Sequence, residues 1–240
     1  MDPSQIAQLP PPLPPEQIIG LNQPGADLHT LRGYTWNGWE FEVPPGVFLP
    51  GATSRMIHQR ILDDDIDVRE RVYAAMGAGL GVEAVVAGLR GAERVLAVDV
   101  HPASVAAAEH NYHRLVGPGG GSEFVPLVSD LFAGLPEGTR LDTVTFNPPA
   151  VSQPVSDDPD IVRNVCAGRP VTDAFFTQLA ERDLLAPGGE VYFIASNTAD
   201  LRQIIGHAAD CGFTAHVHHL HDWDDGVLTY LFRLTRETSQ

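Results

Sequence analysis

The sequence predicts an α/β fold: a doubly wound, seven-stranded, mostly parallel sheet, with an antiparallel C-terminal hairpin and a short N-terminal extension. Three observations predict it. From about residue 70, apolar β-rich runs alternate with segments of helical spacing, which implies parallel strands covered on both faces. The glycine-rich turn Gly77-Ala78-Gly79-Leu80-Gly81 sits between the first such strand and the first such helix. The last two strand runs, 213–220 and 227–234, are joined directly by Asp222-Trp223-Asp224-Asp225-Gly226, which reads as a hairpin.

Taken in order, the proline-rich stretch Leu9-Pro10-Pro11-Pro12-Leu13-Pro14-Pro15 is expected to be extended or polyproline II, so residues 1–30 read as an arm. Residues 31–68 read as a covering segment that contributes to substrate binding. Within it, residues 34–43 alternate aromatic and polar side chains as a hairpin does, and residues 53–62 have helical spacing in Met56, Ile57, Ile61 and Leu62. Asp63-Asp64-Asp65 reads as a solvated loop. The main domain is expected over 69–240, with strands at 71–76, 94–99, 124–128, 142–146 and 190–195 before the closing pair. Helices are expected at 83–89, from His101-Pro102 through Tyr112, at 173–184 and at 199–210. Pro187-Gly188-Gly189 is expected to turn the chain into the fifth strand.

Composition narrows the function. The chain has 240 residues, 15 basic against 31 acidic, a formal charge of -16, and every basic residue is an arginine. A strongly negative surface repels phosphate backbones, so nucleic acid is a disfavoured partner. Acidity serves solubility, or attracts a cationic substrate; the run Ser156-Asp157-Asp158-Pro159-Asp160 reads as a solvated loop or as an acidic rim for such an acceptor. No signal-peptide pattern or membrane-length apolar run is seen, and two cysteines make no disulfide framework, so a cytoplasmic protein is expected. His216, His218, His219 and His221 alternate across a strand with no cysteine nearby, and no metal site is expected. Oligomeric state is open.

The site-forming residues fall at successive strand ends, the carboxyl edge where open α/β sheets bind ligands. A dinucleotide fingerprint would need glycine at 82, which is Val82, and no phosphate-loop lysine motif is present. GxGxG followed by an acid at the end of the second strand is the spacing expected for S-adenosylmethionine. Asp99 is placed to accept from ribose hydroxyls, with Val100 beside it, or else to cap the next helix. Asp130 is placed to accept from the exocyclic amine of an adenine while Leu131 donates its N–H, or is an ordinary loop residue. Asn147-Pro148-Pro149-Ala150 ends the fourth strand. Each proline lacks an N–H and fixes φ, so the chain must leave the ladder there, presenting an amide and unpaired carbonyl oxygens.

With Gly77, Ala78, Gly79, Gly81, Asp99, Val100, Asp130, Leu131 and Asn147 in this order, the chain resembles the class I S-adenosylmethionine-dependent methyltransferases and their Rossmann-like fold. Within them it is similar to the group that includes the release-factor glutamine N-methyltransferases, over about residues 40–235. The resemblance implies methyl transfer from S-adenosylmethionine to a nitrogen of a small molecule or a peptide or protein side chain. A nucleic-acid base and a non-catalytic partner role are the alternatives. It implies that Asn147 and the carbonyl of Pro148 accept the target's N–H groups and that Pro149 stiffens the turn; with Ala150 in place of the usual aromatic, a wider or differently shaped acceptor site is expected, completed by Trp36, Trp39, Phe48 or the loop Val151 to Thr172. Two departures stand out: the family's acid two places before the first glycine is Ala75, and the aromatic after Asn-Pro-Pro is Ala150.

Overall fold

The computed structural model describes residues 1–22, 27–117 and 121–236. The elements in chain order are α1 (Pro3–Ala7), α2 (Pro15–Leu21), β1 (Arg32–Trp36), β2 (Trp39–Val43), α3 (Ala52–Leu62), β3 (Val72–Met76), α4 (Val82–Leu89), β4 (Arg94–Asp99) and α5 (Pro102–Leu115). There follow β5 (Glu123–Val128), β6 (Leu141–Phe146), α6 (Pro159–Val165), α7 (Arg169–Glu181), β7 (Leu185–Ser196), α8 (Leu201–Asp210), β8 (Phe213–Asp222) and β9 (Leu228–Arg236). β1 pairs with β2, and the other seven strands form one sheet in the order β5-β4-β3-β6-β7-β9-β8. The seven-stranded, mostly parallel sheet with its antiparallel end is the architecture that the alternating pattern predicts. Among the described residues, no helix is long and apolar enough to cross a membrane.

The chain divides into two compact units, Ala26–Phe146 and Met1–Gly25 with Asn147–Gln240. In the first, β3 pairs in parallel with β4 and β6, and β4 with β5. β3 and β4 are almost wholly buried runs, as parallel strands covered on both faces require. Their core is Tyr73, Ile57, Ile61, Ile66, Leu80 and Val85. The β1–β2 hairpin turns at Asn37 and Gly38, both with positive φ, and buries Tyr34, Trp36, Phe41 and Val43 on one face.

In the second unit, β9 runs antiparallel to both β7 and β8. Phe175, Phe176 and Phe193 form its aromatic core, with ring centroids 5.1–5.6 Å apart. β7 starts at Leu185, ahead of the expected 190: Pro187-Gly188-Gly189 lies inside the strand, with a left-handed φ of 77° at Gly188, and the ladder with β9 begins at Glu190. The proline-rich arm also differs from a wholly extended chain. Asp2 caps α1 through a reciprocal box with Gln5, and Pro15 opens α2, leaving the stretch between them outside regular structure. That stretch is held in place: Arg202 Nε donates to the Leu9 carbonyl at 2.6 Å, and Leu13 N–H donates to the Asn197 carbonyl at 2.8 Å.

α6 replaces part of the expected acidic loop. Asp158 accepts from the Asp160 N–H and Pro159 takes the first turn, a cap-plus-proline signature legible in the sequence. α7 likewise starts at Arg169, with Pro170 in its first turn, and ends at Glu181, two residues before Asp183 turns to φ 51°. On β8 a bulge lies between Val217 and His219, and the His218 ring stands edge-on to Tyr192 at 5.2 Å. Such a bulge twists an edge strand away from further pairing.

Candidate active site

In the Ala26–Phe146 unit, the glycine turn joins β3 to α4. Gly77, Gly79 and Gly81 all have positive φ, at 62°, 54° and 82°. The turn is tied down on three sides. Ala78 N–H donates to Val98 O at 2.9 Å, Asn111 Nδ2 donates to the Leu80 carbonyl at 3.0 Å from within α5, and Gly81 N–H closes back on Ala78 O at 2.8 Å. A Cβ at Gly81 would lie 2.7 Å from Ala108 Cα, so glycine there lets α4 approach α5. A Cβ at Gly79, by contrast, would meet nothing closer than Gly77 O at 3.9 Å, so open space lies beside that residue.

Asp99 ends β4 and is half-buried. One oxygen accepts from Gly79 N–H at 3.0 Å and the other from His101 N–H at 2.8 Å. Asp99 organises the start of α5, and it holds the glycine turn beside its own carboxylate. Two carboxylate oxygens offer about four acceptor positions, so acceptor capacity remains for hydroxyl donors. Val100 next to it is 51% exposed, which leaves its face open to a ligand.

Asp130 follows β5 and its carboxylate is exposed. The loop behind it is fixed: Ser129 N–H donates to Asp99 O at 2.9 Å, Ser129 Oγ accepts from Gly134 N–H at 2.8 Å, and Phe132 is buried. Leu131, buried, takes φ 50°, a conformation seldom adopted by a branched apolar residue. Gly77, Ala78, Gly79, Gly81, Asp99 and Val100 are thus brought together through Asp99, and the Asp99–Ser129 bond brings the Asp130–Leu131 loop beside them. Phe48 sits half-buried after the Pro44–Val47 turn in the same unit.

Four residues that the sequence reading passed over form a second polar cluster in this unit. The Thr145 hydroxyl donates to the Glu83 carboxylate, which lies 3.3 Å from the Tyr73 hydroxyl; the two hydroxyls are 2.6 Å apart. His58 Nε2 is 3.8 Å from Glu83 Oε1. Burial pushes the Glu83 carboxyl up to about 7 and the Tyr73 phenol well above its ordinary 10. Burial, and then the charge of Arg55, push His58 down to about 3. The available signal was a Glu in the otherwise apolar stretch Val82–Leu89 and a Tyr inside the otherwise apolar strand Val72–Met76; Thr145 shares its strand with Asp142 and Thr143 and does not stand out.

In the other unit, Asn147, Pro148, Pro149 and Ala150 are all partly accessible. Their carbonyls are not unpaired as expected: Pro148 O accepts from Ala150 N–H at 2.8 Å, and Pro149 O from Gly168 N–H at 2.9 Å. The reason is that a turn this tight folds the next N–H back on itself, while Ala150 bridges to Cys166. Each carbonyl keeps a second lone pair. The loop after the turn is anchored by Ser152, whose N–H and hydroxyl both donate to Thr198 O at 3.0 Å.

No family model matches the chain. It is 28% identical over 192 residues to the release factor glutamine methyltransferase of Bacteroides thetaiotaomicron, covering 74% of this chain and 66% of that one. It is 31% identical over 135 residues to that of Burkholderia pseudomallei, covering 55% of this chain and 46% of that one. The chain therefore spans no more than about two thirds of the length of these curated relatives. Among solved structures, the T. thermophilus 16S rRNA N2 methyltransferase RsmC in complex with AdoMet and guanosine superposes with a TM-score of 0.61 at 20% identity, over 87% of this chain and 50% of that one. That likeness is one of fold.

Proposed function

We propose that this chain, which has the class I S-adenosylmethionine-dependent methyltransferase fold and is a distant homologue of the release-factor glutamine methyltransferases, methylates a nitrogen of a peptide or protein side chain or of a small molecule. The observation that carries the reading is the Asp99 bridge. One carboxylate, at the end of β4, holds both a glycine turn and a helix start through backbone N–H groups.

The residues present fit S-adenosylmethionine. The open space at Gly79 admits a ligand against the backbone, where any side chain would intrude. Asp99 retains acceptor positions for two ribose hydroxyls. Asp130 offers a carboxylate to an adenine amine, and Leu131 offers an N–H to the ring. When bound, the cofactor supplies a methyl on a sulfonium, a good leaving group for in-line displacement by a nitrogen lone pair.

What remains for the protein is orientation. The side-chain oxygen of Asn147 and the second lone pair of Pro148 O accept from the target nitrogen, aiming its lone pair and stabilising the positive charge that grows on it. Pro149 fixes φ between them, so the acceptors keep their spacing. The methyl side chain of Ala150 gives no flat surface for stacking, which widens the site compared with an aromatic. Phe48 is assigned to the acceptor site as one of the candidates, with Trp36, Trp39 and the loop Val151 to Thr172, to complete it where the aromatic is missing. The charge of -16 opposes a nucleic-acid substrate and suits a cationic one.

The test has two arms. Titration with S-adenosylmethionine should give saturable binding, and Asn147→Ala should keep that binding while lowering methyl transfer to glutamine-containing peptides or basic small molecules by about 100-fold or more. Absence of cofactor binding would turn the reading toward a non-catalytic role. Near-normal turnover in Asn147→Ala would remove that residue from the mechanism, and transfer to RNA with a steep salt dependence would favour a base.

A further inference from the structure

Glu83 is unusual for a residue with no assigned role. It is the second residue of α4, directly after the glycine turn, and 14% of its side chain remains accessible. Tyr73 reaches it from β3, Thr145 from β6 and His58 from α3, and Arg55 is the charge felt by His58. Among the described residues, His58 is its sole ion-pair partner within 4.0 Å, and His58 is itself neutral near pH 7. His58 Nδ1 is buried with no partner.

A nearly enclosed carboxylate with no cation beside it is an expensive arrangement. Two hydroxyls satisfy only some of its acceptor positions. Its placement is also specific. Thr145, which holds it, is the cross-strand neighbour of Ala75, and Ala75 is two residues before Gly77. Glu83 thus sets a carboxylate near the strand end that leads into the glycine turn, where the local side chain is a single methyl.

We infer that Glu83 receives the ammonium group of the methionine moiety of S-adenosylmethionine. Of the cofactor's two cationic centres, the ammonium carries N–H donors, which match the acceptor positions still open on this carboxylate; the sulfonium carries none. The inference rests on the cofactor reading above. A purely internal role for the cluster is the opposing case.

Isothermal titration of the full chain with two probes separates them: S-adenosylhomocysteine, which has the ammonium, and 5′-methylthioadenosine, which lacks it. Because binding requires the ionised carboxylate, S-adenosylhomocysteine affinity should rise about eightfold from pH 6 to 7.5, with a proton released to buffer on binding at pH 6.5. The comparison stops at 7.5 because an α-amino group loses its own proton near about 8. Methylthioadenosine should show neither effect. Glu83→Gln should weaken S-adenosylhomocysteine at least about tenfold at pH 7.5, abolish the proton release and leave methylthioadenosine unchanged. Equal weakening of both probes, or unchanged S-adenosylhomocysteine binding, would overturn the assignment to Glu83. Failure of both probes to bind the parent protein would overturn the cofactor reading and this inference with it.

Discussion

Gly81→Ala tests the glycine turn most directly. At φ 82° an alanine is strained by about 1–2 kcal/mol, because its Cβ crowds the adjacent carbonyl. The new Cβ would also stand 2.7 Å from Ala108 Cα, 2.8 Å from its Cβ and 3.2 Å from its O. These atoms belong to the middle of α5, where Ala108 is fully buried, so the neighbour is mostly main chain and cannot rotate away. Overpacking of this kind adds about 1–3 kcal/mol. The expected loss is therefore about 2–5 kcal/mol. Urea denaturation followed by fluorescence reads it, since Trp36 and Trp39 lie in the same unit. Gly38→Ala is the control: it has φ 78° and nothing within 4 Å of a new Cβ, so it should lose only the strain. Equal losses in the two variants would refute the close approach of α4 and α5 as the reason for glycine at 81.

Other outcomes follow from the buried cluster and the Asp99 bridge. Glu83 has a folded-state value of about 7, raised from 4.5, so the stability it contributes is fully present below about 4.5 and lost as pH rises through 7. Glu83→Gln should accordingly be more stable than the parent at pH 8, by up to about 3 kcal/mol, and no more stable at pH 4.5; parallel pH–stability curves would contradict this. His58 runs the other way. Its value falls from 6.5 to about 3, so its contribution is present above 6.5 and lost as pH falls toward 3, and His58→Leu should flatten the acid limb in the same denaturation series. Asp99→Asn puts an amide donor against the N–H of Gly79 or of His101; a loss of about 1–3 kcal/mol and weaker cofactor binding by titration are expected.

The sheet was legible because its signals are local and repeated. Val95–Val98 reads as a buried strand whatever surrounds it, and Gly-x-Gly-x-Gly can serve few purposes between a strand and a helix. Boundaries were less legible. Pro187-Gly188-Gly189 has the local chemistry of a turn, yet β7 runs through it with one left-handed residue before the ladder with β9 begins. The short helices α1 and α6 were hidden by composition, since a proline-rich or acidic run distracts from the cap that opens it. The Glu83 cluster was illegible for a deeper reason. Its members are scattered from 58 to 145 in sequence, and only the β3–β6 register and the helix packing make them neighbours.

The place of β9 has a consequence for biosynthesis. The strand β9, Leu228–Arg236, lies between β7 and β8, and among the described residues β8, at the end of the sheet, pairs with it alone. A ribosome that has released β8 has therefore made an edge without a partner, leaving Phe213 and Ala215, buried in the finished fold, uncovered until about a dozen further residues clear the exit tunnel. The Ala26–Phe146 unit is continuous and can complete itself while synthesis proceeds. The unit that carries the Asn147 turn needs β9 for the ladders of both β7 and β8, so a nonsense codon just past Asp222 removes β9 from that turn's scaffold and spares the Ala26–Phe146 unit.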